Sequence, residues 1–142
     1  MDPRSDQTFT VSAGRNHGDI ESSTKKIASY LTKQGIHTDL VSSMELSVYE
    51  ALVNIYDHEP ENFRDSPIQV ECSLSGGLVT VTIRYEGDYF DMTSTKLPDI
   101  VEHFKKGKTR GLGIYFIRTL MDSVEYSHDH GKNTLILTKK EE

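Results

Sequence analysis

Tryptophan is absent from this 142-residue chain, cysteine occurs once and proline four times. The lone Cys72 cannot form an internal disulfide, so the chain is not a disulfide-stapled secreted scaffold. No apolar run approaches the roughly 18 residues needed to cross a membrane. The N-terminal Met1-Asp-Pro-Arg-Ser-Asp6 lacks the apolar core of a secretory signal. A reducing cytoplasm is the expected location, with no membrane partner. Basic residues are also in deficit: 16 Lys and Arg against 22 Asp and Glu give a net charge of −6. Direct binding to a phosphate backbone needs a net positive surface, so no nucleic-acid partner is expected. What is present is enough for one core. Hydrophobic residues make up 35% of the chain, including 5 Phe and 7 Tyr. Residues 1–142 therefore read as a single domain.

Taken in order, Gln7–Val11 alternates weakly, as an edge strand would. Asp19–Gln34 has helical periodicity through Ile20, Ile27, Tyr30 and Leu31, with Gly35 at the position of a C-terminal cap. Ile36–Val41 reads as a connection. A second helix is expected over Ser43–His58, because Ser42 and Glu45 have capping-box spacing. Leu46, Tyr49, Val53 and Tyr56 recur along that helix, and Val48, Leu52 and Ile55 widen the apolar arc. Ile68–Leu74 and Leu78–Tyr85 alternate cleanly around the turn Ser75-Gly76-Gly77, as an antiparallel hairpin does. This alternation places Cys72 in the core. Glu86–Arg110 has no sustained period, apart from a short helix expected near Asp99–Phe104. Gly111–Asp122 is a strongly apolar helix with glycines at its start. Val124–His128 and Thr134–Lys139 are strands joined at His130-Gly131, and Lys139–Glu142 reads as a charged tail. The order predicts an α+β two-layer sandwich: a mixed, mostly antiparallel sheet covered on one face by three helices.

Glu50, Asn54 and His58 stand at i, i+4 and i+8, so they share one stripe of a mostly buried helix. That stripe reads either as a solvated edge or as a carboxylate and an amide facing a metal-bound phosphate. Downstream, Lys105, Lys106, Lys108 and Arg110 lead into Gly111-Leu112-Gly113, a helix start with bare backbone and a positive dipole end, which suits anions. Gly107-Lys108-Thr109 is not a P-loop: Glu102 occupies the place of its first glycine, and no strand precedes it. Gly111-Leu112-Gly113 is not a dinucleotide fingerprint either, since Phe116 stands at the third glycine position. His128-Asp129-His130 reads as a surface turn rather than a metal site.

Together these segments resemble the GHKL ATP-binding superfamily, and within it the short anti-sigma-factor serine kinases. Glu50-Ala-Leu-Val-Asn54-Ile with His58 resembles that family's N-box. Arg110-Gly-Leu-Gly-Ile-Tyr-Phe-Ile-Arg-Thr-Leu-Met-Asp-Ser-Val-Glu-Tyr126 resembles its second glycine box and following helix. The resemblance spans about Phe9 to Lys139 and implies the Bergerat fold, ATP as phosphoryl donor and Mg²⁺ held by Asn54. It implies Glu50 as general base toward a serine hydroxyl of a partner protein. Lys108, Thr109, Arg110, Gly111, Leu112 and Gly113 would contact the phosphates, and about Met92–Arg110 would form a lid. The implied partners are a sigma factor and an anti-anti-sigma antagonist. Because the family often pairs through its sheet or first helix, a homodimer is also implied.

The first glycine box departs from the family pattern. It reads Tyr85-Glu86-Gly87-Asp88-Tyr89-Phe90-Asp91. Gly87 and Phe90 are kept and, with Tyr85, are expected at the nucleotide. The leading Asp, which in the family accepts the adenine amino group, is Tyr85. Alternation points Tyr85 to the core side and Glu86 away from it. Three functions stay open: an active Mg·ATP-dependent kinase, an ATP-independent protein-binding module of the same fold, or an ATP-binding domain serving a different phosphorelay.

Overall fold

A computed structural model of the chain describes residues 7–58, 63–94 and 112–141. Its elements are β1 (Gln7–Ala13), α1 (His17–Lys33), α2 (Thr38–His58), β2 (Ile68–Ser75), β3 (Leu78–Glu86), α3 (Leu112–Leu120), β4 (Ser123–Asp129) and β5 (Lys132–Lys140). A short 3-10 turn spans Met92–Ser94. The strands form one five-stranded sheet in the order β1-β2-β3-β5-β4, and every described ladder is antiparallel. The expected two-layer α+β architecture is therefore present.

Strand alternation sorts the sheet into a dry face and a wet one. One inward row crosses all the strands: Phe9, Cys72, Val81, Leu137 and Val124 are paired neighbours. The adjacent row, Thr10, Glu71, Thr82, Ile136 and Glu125, faces away. That outer face includes an ion pair, with Arg84 Nη1 3.2 Å from Glu71 Oε2. The inner face packs on Ile27, Leu31, Met44, Val48, Leu52 and Ile117 from the three helices, all fully buried. Cys72 lies within this layer, and burial pushes its thiol up to about 12. It is a packing residue.

Helix ends follow side-chain chemistry, and two begin earlier than expected. Asn16 caps α1, its Oδ1 accepting the Asp19 N–H at 2.8 Å. At the other end Gly35 has φ 82. Gly35 N–H bonds Thr32 O at 3.0 Å and Ile36 N–H bonds Leu31 O at 3.1 Å, the two bonds of a Schellman motif. α2 starts at Thr38 rather than Ser43, so the segment expected as a connection supplies its first turn. His37 is the cap: its carbonyl takes Val41 N–H at 3.0 Å and its Nδ1 takes Asp39 N–H at 3.1 Å. Burial of Leu40 and Val41 stabilises this extra turn, and the Ser42–Glu45 capping-box reading is thereby corrected. The buried face of α2 is Leu40, Val41, Met44, Ser47, Val48, Ala51, Leu52 and Ile55. Leu46, expected in the core, is 39% exposed.

β5 runs through Lys139, where the strand was expected to end, to Lys140, so the expected tail loses its first two residues to the sheet. Lys139 Nζ donates to Leu120 O at 2.7 Å and so satisfies an orphan carbonyl at the end of α3. Lys139→Met keeps the aliphatic stem and removes this bond. We expect a loss of about 1 kcal/mol, seen as a fall in Tm of roughly 2–5 °C. An unchanged Tm would show that the bond is not maintained in solution.

Candidate functional site

The α2 stripe and the start of α3 meet. Glu50 and Asn54 are both half-buried. Gly113, in the first turn of α3, lies directly against them. A Cβ on Gly113 would stand 2.7 Å from Glu50 Oε2, 3.4 Å from Glu50 Cβ and 3.5 Å from Asn54 Nδ2. Glycine is required here by close approach, since any side chain would enter the space of the carboxylate. Among the described residues no hydrogen bond or ion pair engages the Glu50 carboxylate or the Asn54 amide. Burial raises the Glu50 carboxyl above its ordinary value, which makes it a stronger base once ionised. The Glu50 carboxylate and the Asn54 amide thus both face the first turn of α3 at Gly113. That donor set fits a hard divalent cation and phosphate oxygens.

At the opposite end of the stripe the side chains pack on one another, although His58 itself is exposed. His58 stacks on Phe90, with ring centroids 3.7 Å apart and planes 19° apart. Tyr85 is 8% exposed and points inward, as alternation requires, while Glu86 is exposed. Ile55, His58, Tyr85, Asp88, Phe90 and Met92 enclose a cavity of about 10 Å³. That is the space of a single water, whereas ligand pockets run to roughly 300–1,000 Å³. Among the described residues, this space does not hold a purine, whereas the phosphate end of the stripe carries polar groups that suit phosphate oxygens.

A polar network holds the glycine-box loop in this form. Gly87 N–H bonds Gly131 O at 3.1 Å across to the β4–β5 turn. Phe90 N–H donates to the Tyr126 hydroxyl at 3.0 Å, and that hydroxyl donates to Asn133 Oδ1. His128 Nδ1 lies 2.9 Å from the same oxygen, and Asn133 Nδ2 donates to Asp88 O at 3.3 Å. Asn133 is fully buried. Tyr89, 67% exposed, sets its edge against Tyr126 and His128. Under β3, the buried Arg15 bonds Ser66 O at 2.9 Å and Glu86 O at 2.6 Å, and its guanidinium lies 6.0 Å from the centre of the Tyr85 ring. Asn133→Ala would leave the Tyr126 hydroxyl and the Asp88 carbonyl without this partner. We expect a cost of about 1–3 kcal/mol in urea unfolding, with m unchanged. A loss below about 0.5 kcal/mol would mean that the network does not hold the loop.

Of the residues singled out from sequence, Glu50, Asn54 and Gly113 come together, and Tyr85, Phe90 and His58 gather at the other end with Gly87 in the adjoining loop. Met92, the expected first residue of a lid, is a core residue at 2% exposure. Lys108, Thr109, Arg110 and Gly111 lie outside the described residues, as does the short helix expected near Asp99–Phe104. Leu112 opens α3. His128 and His130 face different surroundings: His128 turns toward Asn133, whereas His130, in the turn at φ 52, pairs with Asp129 at 2.6 Å. Sequence reasoning missed Arg15, Tyr126 and Asn133. Asn133 left a faint signal, a polar residue at an inward position of an alternating strand. Arg15, in a polar loop, left none.

A five-stranded antiparallel sheet, helices on one face, and a Glu–Asn stripe against a glycine helix start together define a kinase-like ATPase domain. Residues 17–139 match the family model of the histidine kinase-like ATPase domain, and the chain belongs to that family. It is similar to serine-protein kinase RsbW of Listeria monocytogenes serovar 1/2a, 27% identical over 112 residues, covering 76% of this chain and 71% of the relative. It is also similar to serine-protein kinase RsbW of Bacillus cereus, 28% identical over 120 residues, covering 80% and 72%. Two solved structures share the fold. One contains the RsbU and RsbW domains of a Mycobacterium tuberculosis protein, with TM-score 0.69 and 15% identity; the match covers 94% of this chain and 32% of that one. The other is the SiaB–SiaC complex of Pseudomonas aeruginosa, with TM-score 0.65, 14% identity and coverage of 92% and 88%. No described helix is long and apolar enough to cross a membrane.

Proposed function

We propose that this protein is a cytoplasmic regulator of the anti-sigma-factor type that phosphorylates a serine on an antagonist protein. Its second partner is a sigma factor, and the phosphoryl donor is a Mg-bound triphosphate, with ATP the family's donor. The observation that carries the reading is the approach of Gly113 to Glu50 and Asn54. Similarity to the RsbW serine-protein kinases supports it.

In this reading Asn54 would hold Mg²⁺, which would supply neutralisation of charge on the phosphate oxygens. Gly113 and the α3 amides receive the phosphates without a side chain in the way. Glu50 accepts the proton of the attacking serine hydroxyl, the serine oxygen bonds the γ-phosphorus, and the diphosphate leaves. Phosphoryl transfer needs mainly positioning and charge neutralisation, and this edge offers both. The test is transfer of labelled γ-phosphate to an antagonist protein, with phosphoserine mapped by mass spectrometry. No transfer, together with no rise in Tm at millimolar Mg·ATP, would remove the kinase reading.

A second reading rests on a specific observation, the closed base end around Tyr85 and Phe90. In it the domain binds its protein partners without ATP. Retained partner binding in Glu50→Gln and Asn54→Ala, with no phosphotransfer by the wild type, would favour this second reading.

A further inference from the structure

Resting on the phosphate-edge reading above, we propose that Phe90, stacked on His58, closes the base subsite, so that this protein selects its donor by the Mg-triphosphate and not by the base.

Three observations converge on this. The first is volume. The space between α2 and the glycine-box loop is about 10 Å³, lined by Ile55, His58, Tyr85, Asp88, Phe90 and Met92. One face of the His58 ring is covered by the Phe90 ring, with centroids 3.7 Å apart. The second is chemistry. Reading a base needs buried donors or acceptors aimed at its edge. The inward position on β3 carries a tyrosine, whose ring lies beside the Arg15 guanidinium. The buried amide nearest to it in the sheet, Asn133, is committed through both its oxygen and its nitrogen. Asp88 lines the cavity but is an exposed residue, so water competes for its carboxylate. The third is rigidity. Phe90 is anchored through its own N–H to Tyr126, and the next residue, Asp91, fixes the turn by accepting Thr93 N–H at 2.9 Å and Thr93 Oγ1 at 2.5 Å. The phosphate edge, Glu50 and Asn54, lies one to two helical turns away from His58 along α2. Donor recognition therefore divides: phosphates are held and the base is left outside.

Isothermal titration of the wild type and of Phe90→Ala with the Mg complexes of ATP, GTP and inorganic tripolyphosphate tests this. For the wild type the three affinities should agree within about threefold, since no base contact adds to any of them. Phe90→Ala uncovers His58 for stacking. It should bind ATP and GTP about tenfold tighter than the wild type does, with tripolyphosphate unchanged. Wild-type protein that binds ATP more than about tenfold tighter than tripolyphosphate overturns the inference, whatever Phe90→Ala does, so the test stands even if the variant does not fold. Tripolyphosphate binding with no gain for nucleotides in a folded Phe90→Ala overturns this inference alone. No binding of any of the three by either protein overturns it together with the donor reading on which it rests.

Discussion

Glu50→Gln is expected to cut phosphoryl transfer by about 10²–10⁴-fold while leaving Mg-triphosphate affinity within about twofold of wild type. The amide keeps the shape of the carboxylate and its place against Gly113 but cannot take a proton. General-base catalysis contributes about 10²–10⁴-fold, and single-turnover transfer should fall by that factor. Loss of binding in the variant would count against the general-base role and for a ligand role. The pH dependence carries a sign. Burial raises the Glu50 carboxyl, so the ionised base accumulates only above that raised value, and transfer should rise with pH through it. Stability runs the other way. A carboxyl raised in the folded state holds its proton more tightly there than in the unfolded chain. Its stabilising contribution is complete below the unfolded value and is lost as pH rises through the folded one. Glu50→Gln should remove that fall from the stability–pH curve, measured by urea unfolding from the ordinary carboxylate range upward.

Gly113→Ala is the second large effect, and it separates function from fold. The added methyl would stand 2.7 Å from Glu50 Oε2, closer than a carbon and an oxygen can remain. The carboxylate is the free end of a flexible side chain, so it will swing aside rather than unfold the helix. Alanine also favours the helix interior by up to about 1 kcal/mol over glycine. We therefore expect Tm to change by no more than roughly 3 °C. Phosphotransfer should drop by about 10²-fold, because a misplacement on the order of 1 Å costs that much in positioning. A large loss of Tm would show that Gly113 is needed for packing. Unimpaired transfer in a folded variant would show that the Glu50 carboxylate does not act from its present position.

The parts of the site that were legible in the sequence were those that obey a period. Glu50, Asn54 and His58 share a stripe because a helix returns every 3.6 residues, and Tyr85 faces inward because a strand alternates. Both statements hold wherever the elements pack. Boundaries were less legible. The first turn of α2 exists because Leu40 and Val41 find a core and His37 caps the end, and neither fact is local to the Ser42–Glu45 pattern. Lys139 was legible as the last residue of a strand, but its bond to Leu120 O was not, because only the folded chain brings the two together. Arg15 was invisible: its partners Ser66 and Glu86 are 51 and 71 residues away.

By itself the sequence determined the two-layer plan, the inward and outward faces of the first hairpin, and the identity of a Glu–Asn stripe followed by a glycine helix start. Periodicity and turn chemistry are sufficient for those, since each depends on neighbours a few residues apart. Only the tertiary structure decided that Gly113 lies against Glu50 and Asn54, and that Phe90 stacks on His58 beside a cavity of about 10 Å³. Those contacts join α2 to α3 and to the β3 loop, segments far apart in the chain. Their distances are set by packing of the whole core, which no local pattern encodes.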